Sequence, residues 1–100
     1  MTTDEFRQSL GGVKAPAGLQ PLLQAMWLEA KGNWAYKDWD AAHKIVQDQS
    51  GEDAAWVHAY LHRREGDLSN ARYWYGRAGK EPHEGALEAE WAEIITALLA

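Results

Sequence analysis

The part of the sequence that decides the fold is residues 51–79, GEDAAWVHAYLHRREGDLSNARYWYGRAG. The acidic residues 52–53 favour the start of a helix, and the basic residues 63–64 suit its C-terminal end. Gly66 then breaks that helix, and Asp67 is a good N-cap for a second one. Because apolar residues recur every three to four positions in both segments, this stretch predicts two helices joined by a tight turn.

The flanking sequence predicts more helices with the same apolar spacing. A short N-terminal helix and a loop occupy 1–18, and five main helices follow, at 19–31, at 38–49 with Asp38 as N-cap, at 52–64, at 68–78, and from Pro82 to 100. Their connections are two to six residues long, so consecutive helices must be antiparallel neighbours. The predicted fold is a single all-α domain, with a first hairpin at 19–50, a second at 52–79 and a terminal helix at 82–100.

The composition is that of a soluble, globular chain. Its 100 residues include 10 basic and 15 acidic side chains, and the resulting net charge of −5 would repel a phosphate backbone and argues against nucleic-acid binding. Disulfides and thiolate metal sites are excluded because the chain has no cysteine. It shows neither a secretory signal nor an apolar run near the ~20 residues of a membrane span. We therefore predict a cytoplasmic protein that binds no membrane.

Tryptophan is unusually frequent, and it takes part in an internal repeat. The six tryptophans are Trp27, Trp34, Trp39, Trp56, Trp74 and Trp91. Most are expected to fill the core, while one or two could line a binding surface. The sequence matches itself at an offset of 29 residues, at Trp27 and Trp56, Ala30 and Ala59, Asp38 and Asp67, Ala42 and Ala71, and, as two large residues, Val46 and Tyr75. The repeat predicts two similar helical hairpins.

The second unit of this repeat carries a spaced pattern of residues: Ala54-Ala55-Trp56, Ala59-Tyr60, Glu65-Gly66-Asp67-Leu68-Ser69-Asn70-Ala71, Tyr75, Ala78 and Pro82. The pattern resembles a tetratricopeptide (TPR) unit, whose usual period is about 34 residues. Residues 56–79, with their HAYLHR and YWY motifs, are also similar to a group of small proteins, and that likeness implies no activity. The TPR resemblance implies antiparallel hairpins stacked in a right-handed array, with a groove lined here by Asp53, Trp56, Tyr60 and Arg63.

Two histidines could carry chemistry. His58 and His62 are four residues apart on one predicted helix face, and Glu65 follows on the same side. Two imidazoles and a carboxylate are a possible ligand set for zinc or a similar ion. The HExxH motif is absent because Ala59 stands where its glutamate would be. The favoured interpretation is a polar strip between two apolar faces of a central helix.

A buried polar strip needs partners, because an unsatisfied polar group costs ~1–3 kcal/mol. The candidates are His43 on the preceding helix and Asn70, Tyr73 and Arg77 on the following one. If these groups converge without satisfying one another, the gap between them is a pocket for a polar ligand. If they satisfy one another, they form only an internal network, and the sequence leaves both outcomes open.

The sequence thus predicts an interaction module, with no catalytic residue and no cofactor. The partner would be a protein, a peptide or a second copy of the chain, since a stable TPR array usually needs ~3 repeats. The alternative is a small-ligand or metal-binding protein with a polar pocket lined by histidine and tryptophan, in which His58, His62 and Glu65 are the metal candidates. The binding residues predicted for the groove or the pocket are Trp39, His43, Trp56, His58, Tyr60, His62, Arg63, Glu65, Asn70, Trp74 and Arg77.

Overall fold

Six α-helices are present in the part of the chain that the computed structural model describes, residues 1–32 and 36–100. They are α1 (Thr3–Ser9), α2 (Pro21–Lys31), α3 (Tyr36–Gln47), α4 (Glu52–Glu65), α5 (Leu68–Ala78) and α6 (Leu87–Leu99). The described residues contain no strand, so the all-α prediction is confirmed. None of these helices combines the length and the apolar character needed to cross a bilayer. Trp34 lies outside the described residues.

The second hairpin begins and ends close to the predicted residues because its boundary residues act as caps. Gly66 and Gly79 close α4 and α5 in the left-handed conformation, with φ of 89° and 72°, which glycine adopts at little cost. The Asp67 carboxylate accepts a hydrogen bond from the Asn70 amide at 3.2 Å and so caps α5. In the first hairpin, α2 begins two residues later than predicted, at Pro21, a favoured first helical residue.

The predicted bounds of α3 are wrong at both ends. The helix already includes Tyr36, so Asp38 lies in its first turn instead of at its N-cap. An acid in the first turn is still favoured by the helix dipole. At the other end, the amides of Asp48 and Gln49 bond to carbonyls only three residues back, and this tightened turn ends the α-helix.

The predicted start of the terminal helix at Pro82 is also wrong, since α6 begins at Leu87. The preceding residues are held in a turn by side chains. The Gly85 amide donates to His83 Nδ1 at 3.0 Å, and the Arg63 guanidinium donates to the Gly85 carbonyl. These bonds stabilise a non-helical path into α6.

Helix α4 lies at the centre of the molecule. All its residues from 54 to 62 are buried, and it packs along α5 and against α2, α3 and α6. The central position predicted for this helix is therefore confirmed. The repeat positions Trp27 and Trp56, and Ala42 and Ala71, are all buried, so the two hairpins, α2–α3 and α4–α5, contribute matched residues to one core.

Candidate functional site

Three histidines meet where α3 packs against α4. His58 and His62 project from successive turns of α4, and His43 projects from α3. Nε2 of His58 and Nε2 of His43 form a hydrogen bond of 2.9 Å, so one of these two nitrogens carries the proton. The ring centroids are 4.7 Å apart for His43 and His58, and 5.1 Å apart for each of the other two pairs. One nitrogen atom can be chosen from each of the three rings so that all three lie within 4.8 Å of one another. We call these three residues the histidine cluster.

Glu65 fixes the orientation of one member of the cluster. Its Oε2 lies 2.6 Å from Nδ1 of His62, one helical turn earlier. A carboxylate only accepts hydrogen bonds, so Nδ1 of His62 carries the proton. The lone pair is then on Nε2 of His62. Carboxylates commonly hold metal-ligating histidines in this way.

Two tryptophans clamp the other two rings. Trp39 stacks on His43 with centroids 4.8 Å apart and planes 12° apart, and Trp74 stacks on His58 at 3.8 Å and 9°. The indole Nε1 of Trp39 donates to the Leu61 carbonyl at 2.7 Å, and this hydrogen bond holds the Trp39 ring against α4. The imidazoles are therefore held in defined orientations.

The surroundings of the cluster favour neutral imidazoles. Burial, and after it the charges of His43 and His62, lowers the pKa of His58 to about 4. Burial also lowers the pKa of His43, helped by His62 and opposed by the nearby carboxylates of Glu65 and Asp40. At neutral pH, His58 and His43 are therefore uncharged, and both Nε2 atoms can bind a metal ion once the donating ring has shifted its proton to Nδ1.

A pocket of about 530 Å³ adjoins the cluster on the side of His58 and Trp74. Its wall includes Arg77, whose guanidinium carbon lies 5.7 Å from the Trp74 ring centroid. The same wall includes polar side chains from the turn after α3 and the start of α4, among them Gln49 and Glu52. Of the histidine cluster, His58 alone contributes to this wall.

The structure brings some of the predicted site residues together and places the others elsewhere. It brings six of them to the histidine cluster or its clamps, and Arg77 to the adjoining pocket; the six are Trp39, His43, His58, His62, Glu65 and Trp74. Asn70 instead interacts with Asp67 at the start of α5. Trp56 is 9% exposed and Tyr60 is 1% exposed, so both lie in the core and not along an open groove.

A different buried group, which we call the Glu90 cluster, holds the predicted residues Trp56 and Arg63. The Glu90 carboxylate has no exposed surface. It accepts hydrogen bonds from Trp56 Nε1 at 3.1 Å, from Arg63 at 2.9 Å, and from the Tyr75 hydroxyl at 2.6 and 2.7 Å. Donors from α4 and α5 thus saturate an acceptor on α6, and they leave this cluster no unsatisfied ligand atom.

Sequence reasoning missed Glu90 and a second buried acid, Glu29, which is 2% exposed. Both have a signal in the sequence. Glu90 falls between Leu87 and Trp91 on the apolar stripe of its helix, and Glu29 follows Leu22 by seven residues on another such stripe. A carboxylate at the i+3 or i+7 position of an apolar face is a candidate for a buried, paired acid.

Comparisons with known proteins found no match: no family model, no curated protein and no solved structure matches the chain.

Proposed function

We propose that this protein binds one divalent transition-metal ion through His43, His58 and His62. The observation that carries the proposal is the convergence of the three imidazoles, with ring nitrogens within 4.8 Å of one another. Imidazole nitrogen is a good ligand for zinc, copper and nickel ions. The carboxylate of Glu65 acts behind the ligands by accepting a hydrogen bond from Nδ1 of His62, so that the lone pair of the neutral ring is on Nε2.

The three imidazoles must move to hold such an ion, and the distances show how far. A Zn–N bond is about 2.0–2.1 Å long, so two nitrogens on a tetrahedral zinc ion lie about 3.3–3.4 Å apart. The Nε2 atoms of His43 and His58 lie 2.9 Å apart. The rings of His43 and His58 therefore need to separate by about half an ångström, and His62 needs to approach by up to about 1.5 Å, to admit the ion.

Three protein ligands leave a fourth tetrahedral position for water or a small ligand. The pocket beside His58 offers a route to that position. Metal sites with an open position bind exchangeable ligands and can activate a bound water. We propose an open site of this kind and assign it no particular reaction.

Calorimetric titration of the metal-free protein with Zn²⁺ at pH 7 tests the proposal. We expect one ion per chain for the wild type, and at least hundredfold weaker binding for His43→Ala and for His58→Ala. His83→Ala is the matched control, because His83 pairs with Glu93 outside the histidine cluster. Unchanged binding in both cluster variants, or its loss in the control, would overturn the proposal. Circular dichroism confirms that each variant is folded.

We also propose, as a second candidate, that the hairpins are TPR-like units of a cytoplasmic protein that associates with a protein, a peptide or a second copy of the chain. Two features of α5 support this idea: Leu68 and Tyr73 are large apolar side chains, and each is 56% exposed. Sedimentation equilibrium tests self-association. We expect a dimer that Tyr73→Ser weakens. A monomer at all concentrations would exclude self-association and leave a protein or a peptide as the partner.

A further inference from the structure

A second pocket has a wall to which neither the histidine cluster nor its two tryptophan clamps contribute. It has a volume of about 190 Å³ and is bordered by α1, α2, α4 and α6. The lining residues that matter here are Arg7, Glu29, Arg64, Glu88 and Trp91. Two basic and two acidic side chains at one small pocket make it polar but close to neutral.

Glu29 is the most unusual of these residues because it is buried without hydrogen-bond partners. Nε of Arg64 lies 2.9 Å from Oε1, which makes an ion pair. Neither carboxylate oxygen receives a hydrogen bond from any residue that the structure describes. A buried carboxylate ordinarily has several donors, so Glu29 is suited to a donor from outside the chain.

Trp91 adds a complementary group. Its indole Nε1 is buried and has no acceptor among the described residues. Arg7 lies over the same ring, with its guanidinium carbon 5.6 Å from the ring centroid. The pocket thus brings together three groups. Within the described part of the chain, the Glu29 carboxylate accepts no hydrogen bond, the Trp91 indole N–H donates none, and Arg7 supplies a nearby positive charge.

We propose that this pocket binds a small α-amino acid as its zwitterion. The ammonium group would donate to the Glu29 carboxylate, and the ligand carboxylate would accept from Trp91 Nε1 and pair with Arg7. An amine or a carboxylate alone would satisfy only one of these groups and would add an unbalanced charge to a neutral pocket. A cavity of about 150 Å³ holds benzene, so 190 Å³ suits a ligand with a side chain of only a few atoms.

Three probes of similar size test the charge requirement on the wild-type protein: alanine, propionate and ethylamine. The readout is the NMR signal of the Trp91 indole N–H, assigned with Trp91→Phe. We expect alanine to shift this signal in a saturable way and to bind at least tenfold more tightly than either single-charge probe. Equal binding of propionate or ethylamine, or no response to alanine, would overturn the proposal.

Variants then test the assigned residues. Glu29→Gln should weaken alanine binding at least tenfold, whereas Glu93→Gln, an exposed acid on α6, should leave it unchanged. Unchanged binding in Glu29→Gln would refute the role of that carboxylate, and if this variant does not fold, the three-probe comparison on the wild type still decides the question. His58→Ala should bind alanine normally, so that this site and the metal site can fail independently.

Discussion

The histidine cluster and the Glu90 cluster flank the same helix but differ in how their polar groups are satisfied. Trp56 and Arg63 of α4 donate to a buried carboxylate that has donors at both oxygens. His58 and His62 of α4 instead face another imidazole, and each ring brings a lone pair as well as an N–H. A buried carboxylate with donors at both oxygens stabilises the fold, whereas a group of neutral imidazoles can exchange its internal hydrogen bond for a bound cation.

This difference gives the two clusters different expected responses to mutation. Breaking a saturated buried network should change stability above all. Breaking the histidine cluster should change metal binding above all. The predictions that follow test this contrast.

The largest effect is expected for Glu90→Ala. Removing the carboxylate leaves the Arg63 charge and two buried donors without their acceptor, which should cost about 3–5 kcal/mol of the free energy of unfolding. Urea denaturation measures the loss. Glu93→Ala, an exposed acid on the same helix, should change the stability by less than about 0.5 kcal/mol. Similar losses for both variants would contradict the structural role given to the Glu90 cluster.

The second prediction concerns stabilisation by zinc. A ligand at a hundred times its Kd stabilises the native state by about 2.7 kcal/mol when it does not bind the unfolded chain. We expect Zn²⁺ to raise the free energy of unfolding by about this amount in the wild type and in His83→Ala, and by almost nothing in His58→Ala. Thermal or urea unfolding with and without Zn²⁺ measures it. A zinc effect that survives in His58→Ala would show that the ion binds elsewhere.

The third prediction concerns pH in the metal-free protein. The pKa of His58 falls from 6.5 in the unfolded chain to about 4 in the native state. Between these values the unfolded chain binds more protons, so the contribution of His58 is complete above pH 6.5 and is lost as the pH falls towards 4. His43 and His62 face it with the same charge when protonated, which adds to the loss.

The size of this effect should be about 2 kcal/mol between pH 6.5 and pH 4.5, measured as the difference between the wild type and His58→Ala. Glu29 acts in the opposite direction, because burial raises the pKa of its carboxyl to about 7. Its contribution to stability is complete below pH 4.5 and is lost as the pH rises through 7. Parallel profiles for wild type and His58→Ala would contradict the burial of an uncharged His58.

The smallest effect is expected for Glu65→Gln. The amide cannot hold Nδ1 of His62 as strongly, so zinc should bind about tenfold more weakly, at the low end of the usual effect of such carboxylates. The free energy of unfolding without metal should change little, since this side chain is one-third exposed. Glu81→Gln is the surface control. An unchanged zinc affinity in Glu65→Gln would remove Glu65 from the site.

Much of this fold could be predicted because its strongest signals are local. The Gly66-Asp67 pair determines the turn between α4 and α5 by backbone conformation and capping alone, and it needs no distant contact. The spacing of Trp56, Tyr60 and Arg63 against His58 and His62 likewise divides α4 into two faces. The start of α6 could not be predicted from Pro82, because it depends on Arg63, 22 residues away from the Gly85 carbonyl that it holds.

The candidate site was predictable in its members and not in its arrangement. Helical spacing places His58 and His62 together, and the sequence offers His43 as one of four possible partners. The choice of His43 over Asn70, Tyr73 and Arg77 depends on how α3 packs on α4, which single-sequence spacing does not determine. The position of Glu90 between Leu87 and Trp91 makes it a candidate for burial, but the three donors that satisfy it come from other helices and depend on tertiary packing.

The most direct test of the metal site is the imidazole ¹⁵N NMR spectrum before and after one equivalent of Zn²⁺ at pH 7. We expect the Nε2 signals of His43, His58 and His62 to shift together, the Nδ1 proton of His62 to remain in its bond to Glu65, and the His83 signals to stay in place. Unshifted signals from the three cluster histidines, or a shift confined to His83, would contradict the metal site.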